Sequence, residues 1–225
     1  MGCIVSKNGA DTLRELVNRP GEAEQDFTSN QITQLLNLVA KQLHDGGKDV
    51  TIVAVGGAVN TVLLGSRAAT GDVDFFYQTK QKNDDVSAVV KAAADVAKAR
   101  SIGQAWLNNH TVVFIQEEQI AALYREAQTQ RAVVFSAPGL TVLAAPWRYA
   151  LVTKLDRLMK PGAKPYDLSD AVTYLHEIVQ KTQQPVPRGR LQEWANEFKC
   201  TVADSSLTQS LADAYQKKYE HAGLS

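Results

Sequence analysis

The chain of 225 residues carries 24 Lys and Arg against 24 Asp and Glu, and 44% of its residues are apolar. That length suits one mixed domain, or one domain with a small helical appendage. Zero net charge argues against a dominant electrostatic grip on nucleic acid, and no apolar run approaches the roughly 20 residues of a membrane span. The two cysteines, Cys3 and Cys200, make no disulfide framework and fit a reducing compartment. The scattered histidines offer no zinc-type spacing.

The first six residues, MGCIVS, follow the N-myristoylation pattern, with Gly2 exposed after Met removal and Ser6 at the required distance. Cys3 stands where a palmitoyl chain would join, and two chains anchor stably where one binds only marginally. In a eukaryotic host this predicts a cytoplasmic protein held peripherally at the membrane surface; the competing reading is an unmodified N-terminus. A polar lead-in then runs to residue 26. Thr28 and Gln31 form a capping-box pair opening a helix through Ile32, Leu35, Leu36, Val39 and Leu43, closed by Gly46-Gly47. An apolar β-branched run (Val50, Ile52, Val53, Val55) follows and stops at Gly56-Gly57. A short helix to Gly65 and a second strand carrying Asp72 and Asp74 complete a strand, glycine turn, helix, strand unit.

Beyond a polar loop, Asp84 and Asp85 open a helix with Val86, Val89, Val90, Ala93 and Ala97 on one face. Thr111–Ile115 reads as a strand by composition, with a buried helical turn as the alternative. A charged helix surrounds Leu123. Ala132–Phe135 and Leu140–Leu143 read as a strand pair around Ser-Ala-Pro-Gly. Pro146 starts a helix through Tyr149, Leu151, Val152 and Leu155, and KPGAKP ends it. The next helix shows Ala171, Tyr174, Leu175, Ile178 and Val179, with Asp167 or Ser169 as its N-cap. QQPVPRGR reads as a linker into two last helices, through Leu191, Trp194 and Phe198, then Leu207, Leu211, Tyr215 and Tyr219. The expected class is α/β (α+β). It comprises a lead-in over 1–26, an α/β core with a mixed sheet flanked by helices over 27–145, and a helical C-terminal region over 146–225.

Alternate residues of a strand share a face, so Asp72 and Asp74 project side by side. Carboxylates that close repel unless a cation or proton lies between them. A divalent metal, Mg²⁺ or Mn²⁺, is the natural occupant. Gly56 and Gly57 leave room for backbone N–H groups to approach a phosphate. Each feature alone is common; together, in this order, they describe a site for moving a nucleotidyl or phosphoryl group.

In this order VGG…DVDF resembles the signature of the nucleotidyltransferase fold shared by polymerase-beta-like enzymes. The resemblance is strongest to the abortive-infection (AbiEii-like) group, in which an Arg and a Thr precede the acidic pair, as Arg67 and Thr70 do here. That group also carries a later helix with Lys and an Arg-Asp-x-x-Asp element. Lys154-Leu155-Asp156-Arg157 and Tyr166-Asp167-Leu168-Ser169-Asp170 fall at those places, with Tyr166 where the Arg would be. The resemblance spans about Val50 to Leu175. It implies catalytic, metal-binding Asp72 and Asp74, and nucleotide contacts from Gly56, Gly57, Arg67, Thr70, Lys154 and Asp170. It implies a nucleoside triphosphate substrate and an acceptor hydroxyl on a protein, a small molecule or an RNA end. Active members add a third carboxylate from a later strand, which neither RAVVFSA nor LTVLAA supplies; Glu117 and Glu118 read as a solvated helix start. The alternative is a degraded, membrane-anchored scaffold that binds without turnover.

Overall fold

The computed structural model describes residues 25–225 except 82, 203 and 204, so the acylation pattern at Gly2 and Cys3 lies outside the described residues. Strand β1 (Phe27–Thr28) leads directly into helix α1 (Ser29–Asp45). Thr28 caps that helix: its hydroxyl accepts the Gln31 N–H, and the Gln31 side chain accepts the Thr28 N–H at 2.9 Å. The stripe from Ile32 to Leu43 is buried as its spacing requires.

Strand β2 (Val50–Val55) is the middle of a five-stranded sheet. It pairs antiparallel with β4 (Val73–Phe76) and parallel with β7 (Leu140–Ala144). β5 (Leu107–Asn108) runs parallel along β4, and β6 (Val133–Ala137) forms the expected hairpin with β7. The sheet order is β5-β4-β2-β7-β6, a mixed sheet flanked by helices. β1 pairs instead with β3 (Ala69–Thr70) in a small antiparallel ribbon, Phe27 opposite Thr70.

Helix α2 (Asp84–Arg100) is capped by Asn83, whose side chain accepts the Asp85 N–H at 2.7 Å. It buries Val89, Ala92, Ala93, Val96 and Ala97 and leaves Val90 exposed, so its inner stripe is narrower than the sequence reading. α2 packs against α1. Thr111–Ile115 is not a strand: residues His110–Phe114 form a 3₁₀ turn. Asn108 causes it, because its side-chain carbonyl accepts the His110 N–H at 3.0 Å and bends the chain off the sheet. Helix α3 (Glu117–Gln130) begins with Glu117 and Glu118, as expected, and packs near β7.

The C-terminal helices are α4 (Trp147–Leu158), α5 (Asp167–Thr182), α6 (Arg188–Phe198) and α7 (Ser205–Tyr219). α4 and α5 form the most extensive helix pair, and α6 packs on α4 and α7 on α5. Two sequence readings fail here. No side chain caps α5; Asp167 is its first residue and turns inward, as described below. QQPVPRGR is not a free linker, because α6 already starts at Arg188 and buried Val186 bridges to Leu224. Apolar packing gains more there than a solvated loop would. One buried apolar cluster runs from Phe27 to Leu224, so the sheet and the C-terminal helices share a core.

Candidate functional site

The site is built where β2 ends. Its last residue, Val55, is the register partner of Asp74 on β4, so the Gly56-Gly57 turn emerges beside the acid pair. Asp72 and Asp74 are half-buried while Val73 and Phe75 are fully buried. That alternation sets Asp74 on β4, and Asp72 just before the strand, away from the core positions of Val73 and Phe75. Gly56 has φ +68°, a left-handed conformation that side chains resist. Gly57 has no room for a Cβ: it would overlap the Thr70 hydroxyl and lie 2.9 Å from the Thr70 Cβ and 3.3 Å from an Arg67 guanidinium nitrogen.

After this turn the chain makes a short wide-turn helix (Val59–Leu63) in place of an α-helix. Wide turns of this kind frequently mark functional sites. Asn60, fully buried, is its second residue. Its amide donates to the Gly56 carbonyl at 3.0 Å and to the Tyr174 hydroxyl at 2.6 Å, and its side-chain oxygen accepts from the Ser66 hydroxyl at 2.8 Å. Tyr174 donates to the same Gly56 carbonyl at 3.2 Å. Burial, followed by the nearby Asp170 charge, pushes the Tyr174 phenol well above its usual range, so it stays a neutral donor.

Behind the turn lies a buried ion network. Arg67 grips Asp170 with two nitrogens, Nε donating to Oδ1 at 3.0 Å and a terminal nitrogen to Oδ2. Lys154, only 7% exposed, places Nζ 2.8 Å from Asp167 Oδ1 and 2.8 Å from Asp170 Oδ2. Arg157 Nε lies 3.3 Å from the second Asp167 oxygen, which also accepts the Lys164 N–H at 2.8 Å. Tyr166 lays its ring 3.5 Å from the Arg67 guanidinium carbon. Where the resemblance implied an Arg, the chain thus supplies an aromatic platform for Arg67. The network brings Gly57, Arg67, Thr70, Lys154 and Asp170 together. Asn60, Tyr166, Asp167 and Tyr174 belong to the same assembly; Tyr166 and Asp167 lie in the Asp-x-x-Asp stretch without being singled out as contacts, and Asn60 and Tyr174 carried no motif.

Burial raises the Asp167 pKa, but the Lys154 hydrogen bond, the Lys164 N–H and the Lys154 and Arg157 charges outweigh it and hold the carboxyl below its ordinary value. A depressed carboxylate adds stability above its unfolded pKa, about 3.9, and loses it as pH falls through the lower folded value. Wild type is therefore expected to lose melting temperature steeply below about pH 4. Asp167→Asn should melt lower at pH 7 and show a shallower acid slope; parallel curves for the two proteins would contradict the assignment.

On the side away from β2, β4 pairs with β5. The residue in register with Asp74 on β5 is Asn108, which is buried. Its amide donates to the Ala105 carbonyl at 2.9 Å. Among the described residues no group of three or more His, Cys, Asp or Glu is placed to hold a metal ion. Two carboxylates two residues apart still fit a hard cation whose remaining ligands are phosphate oxygens and water, the usual state of bound Mg²⁺.

No curated protein and no solved structure matches this chain. One family model does, described as a domain of unknown function (DUF7582), over residues 24–222. That span includes the sheet, the acid pair and the buried ion network, and the chain belongs to this family.

Proposed function

We propose that this protein is a nucleotidyltransferase that binds a nucleoside triphosphate with Mg²⁺ or Mn²⁺ at Asp72 and Asp74. It transfers the nucleoside monophosphate to an acceptor hydroxyl on a protein, a small molecule or an RNA end. One observation carries this reading: the Val55–Asp74 register sets Asp74, with Asp72 two residues before it, beside the Gly56-Gly57 turn. A bound divalent ion would offset charge building on the phosphates and favour loss of the acceptor proton. The acceptor oxygen bonds to the α-phosphorus, the bond to the pyrophosphate oxygen breaks, and the hydroxyl proton passes to a carboxylate of the pair or to water. Arg67, Thr70, Lys154 and Asp170 are the wall behind Gly57. In this conformation Asp170 occupies both cations, so they hold the turn in shape while its N–H groups meet the phosphates.

Asn108 favours a second reading, a scaffold that binds metal–nucleotide without turnover, because the position facing Asp74 is an amide. Both readings are tested with ATP, CTP, GTP and UTP labelled at the α-phosphate, titrated with Mg²⁺ and Mn²⁺. Wild type is expected to label an acceptor, and Asp72→Asn/Asp74→Asn to lose on the order of a hundredfold of that activity. Asn108→Asp should tighten metal binding by about tenfold or more. Nucleotide binding without labelling in wild type, with labelling in Asn108→Asp, selects the second reading. Equal binding and labelling by wild type and the double Asn variant would end both.

A further inference from the structure

Among the seven tyrosines Tyr166 is the outlier. Five are buried and Tyr219 is half-buried, but Tyr166 is 38% exposed. The Arg67 guanidinium carbon lies 3.5 Å from its ring centroid and Lys154 Nζ 5.6 Å. Both cations meet at one atom, Asp170 Oδ2, so they approach the ring from the side of the buried network. The opposite face is the one left to solvent.

This ring is held still. Tyr166 directly precedes α5, and its carbonyl accepts the Asp170 N–H at 2.9 Å. The next residue, Asp167, is buried among Lys154 Nζ, Arg157 Nε and the Lys164 N–H. A group fixed before its ligand arrives loses little freedom on binding. The ring also stands near the glycine turn. The guanidinium that lies over it brings one nitrogen to 3.3 Å from where a Gly57 Cβ would stand. A single guanidinium thus separates the ring from the turn, a gap that the sugar of a nucleotide can cross.

The chemistry of the open face selects its ligand. A flat, uncharged ring offers little to a phosphate or a metal ion, whereas nucleobases stack readily on aromatic side chains. The cation behind the ring draws π-density away from the open face, which favours an electron-rich partner. Purines present more stacking area than pyrimidines.

We propose that the open face of Tyr166 is the base platform of this site, stacking the purine of a nucleoside triphosphate whose phosphates lie at the Gly56-Gly57 turn. The inference rests on the transferase reading and adds to it the substrate class, ATP or GTP in preference to CTP or UTP.

Calorimetric titration of the full chain in Mg²⁺ with each of the four nucleotides, and with inorganic triphosphate, tests it. Wild type is expected to bind ATP and GTP several-fold more tightly than CTP and UTP. Tyr166→Ala should weaken ATP about tenfold, level the four nucleotides, and leave inorganic triphosphate unchanged, because that probe has no base. Tyr166→Phe and Tyr166→Trp, which keep a ring, should bind ATP as wild type does. A substitution that only loosened Arg67 would weaken ATP and inorganic triphosphate alike. That result, or unchanged ATP affinity in Tyr166→Ala, would overturn the base platform and leave the transferase reading standing. Equal affinity of wild type for the four nucleotides would overturn the purine preference. Wild type binding neither nucleotide nor inorganic triphosphate would overturn the platform and the transferase reading together.

Discussion

Asp170→Ala is expected to be the most damaging single substitution in the chain, lowering stability by about 3–5 kcal/mol. The carboxylate is fully buried and is shared by Arg67 and Lys154, which come from distant segments. Its removal leaves the Arg67 fork without its acceptor, and Lys154 keeps only Asp167. Tyr166 cannot compensate, because a ring face offers far less to a desolvated cation than a carboxylate does. For a chain of this size the loss corresponds to a fall in melting temperature on the order of 10 °C. Asp170→Asn, which keeps the shape and one acceptor, should fall between the alanine variant and wild type. In a double-mutant cycle with Arg67→Met the two effects should couple by about 1–3 kcal/mol. A melting temperature for Asp170→Ala within 2 °C of wild type would mean that the network contributes little.

Asn60→Ala is expected to cost about 2–4 kcal/mol through a different mechanism, unmet hydrogen bonds in place of unpaired charge. Asn60 answers the Gly56 carbonyl, the Tyr174 hydroxyl and the Ser66 hydroxyl at once, with no exposure to water. Truncation leaves the Ser66 hydroxyl a far weaker acceptor contact, 3.5 Å to the Asn60 backbone carbonyl, and opens space at the glycine turn. Asn60→Asp should be about as destabilising, since a carboxylate cannot donate to Gly56 and would face a carbonyl. Chemical denaturation of the variants reads these losses. Under the transferase reading, nucleotide affinity should also fall in whatever fraction of Asn60→Ala stays folded. A stable Asn60→Ala with unchanged affinity would remove Asn60 from both roles.

The parts of this molecule legible in its sequence are those whose cause is local. The capping box of α1 needs residues three apart, the β6–β7 hairpin needs a Pro-Gly between apolar runs, and the parity of Asp72 and Asp74 needs only an extended chain. Illegible parts depend on distant partners or on one residue overruling composition. Arg67 and Asp170 are 103 positions apart, and nothing in either segment announces the other. His110–Phe114 has the β-branched look of a strand, yet the Asn108 side chain turns it into a 3₁₀ helix. β5, only two residues long, falls below any periodicity signal, so the place facing Asp74 became visible only with the sheet order. The wide-turn helix reads as an ordinary short helix until the Asn60 contacts are seen.

The pairing of β2 with β4 has a bearing on how the chain reaches its native state. If β4 slid by one position, every side chain on it would change sides, and Asp74, with Asp72 just before the strand, would be pushed toward the core positions that Val73 and Phe75 now fill. Two desolvated carboxylates make such a misalignment far less stable than the correct one. The same two acids proposed to hold a metal would then also serve as a checkpoint during folding, rejecting the misaligned hairpin before the helices close over it.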